Sequence, residues 1–506
     1  RLIEPTSQQG KEEMFLAGEN RYTANQDDFA KIPGSLIAYW ISPSWFEAFE
    51  NNPSMRDIAT LKKGTSTGDN QRFIRQWQEV NYSKILLTAH NPEEAEKSNK
   101  KWFPINGGGE CRKWYGNRTD VVNWEANGAE MKALATKLNH GGHWSRYIIN
   151  PDRFFTDSIG WSAISTSRIS ARYIGYGFAF SSAAMEAFEY DLKYLLALIN
   201  SAVASDILKL LAPTINFGVE QVGKIPVKIQ KKNQIERITD ENIETSKSDW
   251  DSFETSWDFT VHPLVRCKSF SPEEVAEDAK HNIVDMNYVK EAVKRWSNEC
   301  YLRFQKLKEN EEELNRIFID IYGLQDELTP EVEDKDVTVH RVFENRDEVP
   351  DSMKNSNYTR TYRDEIVSLL SYAVGCMFGR YSTYKDGLLF AGEPYSLQAF
   401  ADKLNDRPGT ISADELERAY RNEGVVVDEM FFPDADNVIP ITDEEYLGDD
   451  IVSRLCNWLK VVYGADTLEA NLDYIAKALG NKGSTSREVI RNYFVNDFFK
   501  DHCQTY

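Results

Sequence analysis

The residues best suited to chemistry fall in one block, Gly107-Gly108-Gly109-Glu110-Cys111-Arg112-Lys113-Trp114-Tyr115-Gly116-Asn117-Arg118. Three glycines free the backbone to approach a ligand closely or to take positive φ. Beyond them stand two cations, two aromatic rings, a Gly-Asn turn and a third cation. Cations held beside flat rings on a glycine-loosened loop suit a polyanion that carries bases. The same pattern also describes a hairpin tip whose Trp and Tyr close the end of a sheet while its basic residues stay solvated.

Two further stretches repeat the theme. Lys62, Lys63, Arg72 and Arg75 bracket Gly64-Thr65-Ser66-Thr67-Gly68-Asp69-Asn70, a loop rich in backbone N–H groups and hydroxyls that can hold phosphates. Its plainer reading is a polar turn before a strand. The GxxxxGK[ST] pattern is absent, so nucleotide hydrolysis has no support. Arg168 and Arg172 stand among Ser165, Thr166, Ser167 and Ser170, where they could clamp phosphate or fork onto a guanine edge. Two solvent-facing arginines on a strand would look the same. His140-Gly141-Gly142-His143 has no cysteine or carboxylate close by and reads as a loop, not a metal ligand pair.

Charge separates the halves of the chain. Of 506 residues, 41% are hydrophobic and 27% charged, as in a soluble globular protein, and the net charge is −21. Residues 1–232 hold 28 Lys and Arg against 25 Asp and Glu, net +3; residues 233–506 hold 31 against 55, net −24. Between residues 51 and 172 the balance is 18 against 12, net +6. A phosphate-facing surface is therefore expected in the first half. The six cysteines are far apart with no CxxC pair, which predicts a reducing, cytoplasmic setting and neither a zinc ribbon nor a disulfide framework. No run of about 18 apolar residues predicts a membrane span.

The elements that must carry these loops follow from pattern. Residues 1–35 are polar and read as a connector. Ser35–Ile41, Lys84–Thr88 and Asp120–Trp124 are apolar and β-favouring, as are the runs Ser158–Ile164 and Ile169–Tyr176. Pro43–Glu50 with Ser42 as cap, Pro92 onwards after Asn91, and Asn127–Leu138 predict helices. Ala183–Lys209 is Leu- and Ala-rich and predicts two helices broken at Asn200-Ser201. Met286, Val293, Cys300, Leu307, Leu314 and Ile321 recur every seven residues, with Arg303 and Asn310 interrupting a second column; they predict one long packed helix. The chain thus divides into a connector (1–35), a mixed α/β recognition domain (36–232), a helical spacer (233–330), an acidic linker (331–360) and a mainly helical C-terminal domain (361–506). The fold class is α+β.

Taken together, several blocks carry a resemblance. Gly64–Arg75, Gly107–Glu125, Gly160–Phe180 and Leu195–Pro226 succeed one another as in the target-recognition region of the BREX-type adenine-specific DNA methyltransferases (PglX). The likeness continues through Asp249–Glu254, Ser371–Arg380 and Ile439–Asp443, so it covers nearly the whole chain. It implies a duplex-DNA partner, other proteins of a phage-defence complex, and methyl transfer from S-adenosylmethionine to adenine. The family's Asn/Asp-Pro-Pro-aromatic motif and its glycine-rich cofactor turn are absent, so the resemblance places catalysis and S-adenosylmethionine in an upstream domain. No catalytic residue and no metal is assigned, and this segment alone is expected to be inactive. Lys62, Lys63, Thr65, Thr67, Arg72 and Arg75 are expected at phosphates. Arg112, Lys113, Arg168 and Arg172 are expected at base edges, with Trp114 and Tyr115 as wedges; Asn70, Arg118 and Asn216 complete the DNA-facing set. A restriction–modification enzyme's recognition part and a scaffold that binds no DNA remain as alternatives.

Overall fold

The computed structural model describes residues 7–19, 21, 23–165, 168–211, 216–266, 287–404, 431–434, 436–480 and 482–505. Eight short strands lie in the first half: β1 (Thr60–Lys63), β2 (Ile74–Gln76), β3 (Trp102–Asn106), β4 (Asp120–Asn123), β5 (Ser158–Ser162), β6 (Ala171–Tyr173), β7 (Ala179–Phe180) and β8 (Ala184–Phe188). They make two sheets, ordered β1-β8-β5-β6 and β2-β4-β3-β7. The first is antiparallel throughout, whereas β3 and β7 run parallel in the second. The chain crosses between the sheets at Ser181-Ser182-Ala183, where β7 hands over to β8. Helices flank these small sheets and dominate the second half, which makes the fold α+β.

β8 corrects the expectation of helix from Ala183 onwards. Its alternating side chains serve two cores: Met185 and Ala187 pack with Trp161 and Leu195, while Ala184 and Phe188 pack with Phe103, Phe154 and Phe180. A strand covered on both faces is apolar at nearly every position, so its period of two is hidden and the run resembles helix. The predicted pair of helices begins only afterwards, as α1 (Leu192–Asn200) and α2 (Ala202–Leu211). Their break does fall at Asn200-Ser201, where the Asn200 amide bonds both backbone groups of Ala171 (2.8 and 3.0 Å). Two other expected strands are absent. Ser35–Ile41 is a turn-rich segment in which Ala38 N–H reaches only Leu36 O, and Lys84–Thr88 offers one isolated bridge between Ile85 and Trp102.

The seven-residue repeat gives α4 (Val289–Tyr322), 34 residues long, or roughly 51 Å; Met286 lies outside the described residues. One end of α4 (Val289, Val293, Trp296, Cys300) enters a core with Ile366, Leu369 and Trp458. The other end (Phe304, Leu307, Leu314, Ile317, Ile321) enters the core that holds Trp114 and Trp161. Alongside lies α3 (Lys232–Trp250). The two polar interruptions of the repeat meet polar partners on α3: Arg303 lies 3.6 Å from Asp249, and Asn310 donates to Asn242 at 2.9 Å. Such pairs fix the register of helices whose apolar seams would tolerate sliding.

Residues 331–360, expected as a linker, bury Val332, Val337, Val339 and Met353 and place β9 (Arg341–Phe343) parallel to β10 (Thr359–Thr361). The helical end contains α5 (Tyr362–Met377), α6 (Ile451–Tyr463), α7 (Leu468–Leu479) and α8 (Ser486–Asn496). Among the described residues no single helix is long and apolar enough to cross a membrane; the apolar pair α1 and α2 is bent by 71°.

Candidate nucleic-acid interface

The glycine block leaves β3 and turns inward. Gly108 and Gly109 take φ of 80° and 83°, and a Cβ on Gly108 would stand 2.9 Å from the Ala183 carbonyl oxygen. That turn delivers Arg112 into the molecule. Its Nε donates to the Tyr115 carbonyl and its Nη2 to the Asp249 carboxylate, both at 2.8 Å, and its guanidinium lies 5.0 Å from the Trp250 ring. Asp249 is wholly buried and also faces His340 Nδ1 at 2.9 Å and Arg303. Burial alone would push this carboxyl up; His340, Arg112 and Arg303 outweigh it and hold it well below the usual carboxylate range.

The neighbours of Arg112 are equally engaged. Lys113 pairs with Glu311 of α4, and Trp114 Nε1 donates to the same carboxylate at 2.7 Å. The Trp114 backbone adds a rung to β6, donating to Ala171 O and accepting from Tyr173 N–H. Tyr115 is 4% exposed, with the Arg118 guanidinium 4.1 Å from its ring; Arg118 in turn donates to Ile174 O at 2.6 Å. Arg172, fully buried, donates to the carbonyls of Arg112 (3.0 Å) and Gly108 (2.7 Å). Burial lowers its pKa to about 10. Arg112, Lys113, Trp114, Tyr115, Arg118 and Arg172 therefore lock the glycine block onto α3 and α4. Of the residues expected at base edges or as wedges, Arg112, Lys113, Trp114, Tyr115 and Arg172 are thus engaged within the fold, with both rings enclosed, while the buried Nε atoms of Arg118 and Arg172 meet no hydrogen-bond partner among the described residues.

The Gly64 loop divides in two. Thr65 and Thr67 are 2% exposed. Thr65 Oγ1 donates to Tyr147 O at 3.1 Å and accepts from Ile149 N–H at 3.0 Å, while Thr67 Oγ1 donates to Asn70 Oδ1 at 2.5 Å and accepts from Asp69 N–H. These hydroxyls, expected at phosphates, hold the loop itself. Arg75 is half-buried and donates to Ile74 O at 2.7 Å. Lys62 is half-buried, whereas Lys63, Asn70 and Arg72 are exposed; Arg72 Nε donates to Glu130 at 2.8 Å.

What the structure does bring together is a rim. Ser182 N–H donates to Thr65 O (2.7 Å), Ala163 N–H to Ala183 O (2.8 Å), and Phe217 N–H to Ala163 O (2.8 Å). Ile164 and Asn216 form a bridge, Ser162 Oγ donates to Gly109 O (3.0 Å), and Asn150 Nδ2 donates to Lys63 O (2.9 Å). Loops far apart in sequence are thus laced edge to edge. On this rim Lys63, Asn70, Ile164, Arg168, Ser182 and Asn216 are exposed, with Arg168 3.9 Å from Asp336. The exposed Arg146 joins them because Tyr147 O receives Ser66 N–H at 3.0 Å. No sequence signal marks Arg146; it is a lone arginine between Ser145 and Tyr147.

Beneath the rim Glu186 is buried between Asn106 Nδ2 and Ser158 Oγ, each at 2.9 Å. Burial pushes its carboxyl up to about 8, against the pull of those two bonds and of Arg172. A glycine-rich turn after a strand is also the feature a nucleoside cofactor would require. Here the turn after β3 opens onto no helix, and its cradle is filled by the Ala183 carbonyl and by the Asn117 side chain, which donates to Gly108 O at 3.0 Å. These residues do not fit S-adenosylmethionine.

No protein-family model matches the chain. Along its length the sequence is similar to one region of the PglX-type adenine-specific methyltransferases, which bears out the resemblance seen in its motifs. It is 37% identical over 521 residues to the adenine-specific methyltransferase PglX of Lacticaseibacillus casei (strain Zhang), matching 100% of this chain and 38% of that protein. It is 31% identical over 499 residues to the adenine-specific methyltransferase BrxX of Escherichia coli O9:H4 (strain HS), matching 95% of this chain and 36% of that protein. The chain therefore spans under two fifths of the relatives it matches. A solved structure of the Type IIL restriction-modification enzyme MmeI in complex with DNA aligns with 55% of this chain and 34% of its own at 13% identity. Its TM-score of 0.34 is too low to carry an argument.

Proposed function

We propose that this chain is the target-recognition part of a site-specific adenine methyltransferase of a BREX-type defence system. The rim is its DNA-facing surface. One observation carries this reading: six loops from across the first 220 residues are laced into one edge that exposes Lys63, Arg146, Arg168 and Asn216. This edge lies in the half with positive charge, and the relatives' names supply the chemistry. Lys63 and Arg146 sit at phosphates, and Arg168 and Asn216 approach base edges beside the exposed Ile164. The target amino group is enclosed in the duplex, so the adenine must be flipped out while the flanking helix is held. Binding of S-adenosylmethionine and methyl transfer belong to the rest of the longer protein, and the acidic half offers docking surface to other defence proteins.

Fluorescence anisotropy with labelled duplexes tests the reading. Affinity should fall linearly on a log–log salt plot, with a slope of about −0.9 per phosphate neutralised. Charge reversal of Lys63 and Arg168 together should weaken binding and flatten that slope. Indifference to duplex in dilute buffer, or an unchanged slope in the double reversal, would sink it.

A further inference from the structure

A basic concavity lies within the acidic half. A cleft of about 720 Å³ opens between the start of α4, the start of α5, the end of α7 and the turn after β9. Its described lining holds Lys290, Lys294, Arg346, Arg363 and Lys477 against the single carboxylate Glu344. This stands out in a stretch of the chain with net charge −24. Three of the cations touch carboxylates outside the lining: Lys294 with Glu291 at 3.0 Å, Arg346 with Asp364 at 3.4 Å, and Arg363 with Asp501 at 3.4 Å. Lys290 and Lys477 are exposed and make no ion pair among the described residues.

Local stability does not account for this placement. Lys290 and Arg363 occupy the second positions of α4 and α5, the positive ends of those helices, where a cation is disfavoured. Positions that break a local rule without a local gain are where function is to be sought. Glu291, Asp364 and Asp501 offset part of this charge; Lys290 and Lys477, without an ion pair among the described residues, stay on the concave wall, where an anion would relieve them.

We propose that this cleft is a binding site for a nucleoside polyphosphate, with the phosphates on Lys290, Lys477, Arg346 and Arg363. Tyr362 and Tyr474 in the same lining supply a flat wall for the base. The volume falls within the range of roughly 300–1,000 Å³ usual for small-molecule sites. A compact anion is favoured over a duplex because a long polyanion leaving the cleft would run along the acidic half, whereas a small one meets five cations against the one carboxylate of the lining, Glu344. The site is independent of the rim and of the reading that rests on it.

Isothermal titration calorimetry of the chain with ATP, pyrophosphate and adenosine separately tests this. ATP should bind most tightly, pyrophosphate less so and adenosine least, with affinity falling as salt rises. The double variant Lys290→Glu/Lys477→Glu should lose at least about tenfold in ATP affinity, the worth of a partly screened charge pair or more. Its melting temperature should be unchanged, and Lys290→Gln/Lys477→Gln should fall between it and the wild type. Absence of ATP binding in dilute buffer would overturn the proposal. So would binding that survives the reversal, pyrophosphate binding as tightly as ATP, or displacement of ATP by a duplex oligonucleotide.

Discussion

Two cationic regions of this molecule share residue types and differ in what surrounds them. In the glycine block, Arg112 and Lys113 meet Asp249 and Glu311, carboxylates that lie 137 and 198 residues further on. On the rim, Lys63 and Arg168 are exposed, and Arg168 lies 3.9 Å from Asp336. The first set is matched, dehydrated and immobile, and it fastens the sheets to α3 and α4. The second lies on the surface. A cation therefore signals binding only after its counter-charges have been counted, and those can come from anywhere in the fold.

Breaking the buried set should cost most. Asp249→Asn leaves Arg112 enclosed without its counter-charge and Arg303 with Glu299 alone, and should destabilise the fold by about 3–5 kcal/mol in chemical denaturation. Duplex binding at temperatures where the variant stays folded should be close to normal. A variant as stable as the wild type that binds DNA poorly would reverse the comparison.

Glu186 gives the next effect, and it depends on pH. Its carboxyl titrates near 8 in the folded protein and near 4.3 unfolded, so the folded state holds the extra proton between those values. Stability from this group is full below about pH 4.3, declines as pH rises, and reaches its minimum above about pH 8, a loss on the order of several kcal/mol. Glu186→Gln keeps the neutral shape and should melt higher than wild type at pH 8 but alike at pH 4.5. Equal pH profiles in differential scanning calorimetry would refute this.

On the exposed side, Lys63→Glu with Arg168→Glu should weaken duplex binding by roughly 10–100-fold, or about 1.4–2.8 kcal/mol. Unfolding free energy should shift by no more than about 0.5 kcal/mol. Smallest of all, Arg72→Ala removes an exposed pair with Glu130 and should cost about 0.2–1 kcal/mol in stability. A larger loss would count Arg72 with the buried framework.

Much of the fold is legible wherever a local pattern decides the outcome. The seven-residue repeat marks α4, Asn91 does cap the helix that starts at Pro92, and Gly116-Asn117 does form a positive-φ turn. β8 is not legible, because Ala184–Phe188 carries no polar alternation once both its faces are covered. The glycine block is recognisable as the organising element of the chain, but its direction is not, since inward and outward turns use the same glycines.

By itself the sequence determined the helical second half, the break at Asn200-Ser201, the excess of positive charge in the first half and the similarity to a region of the adenine-specific methyltransferases. These depend on spacing, composition and the order of motifs, which are local or additive along the chain. Only the tertiary structure decided which cations are free. Whether Arg112 or Lys63 faces solvent depends on a carboxylate more than a hundred residues distant, and on a turn that points the side chain toward it or away.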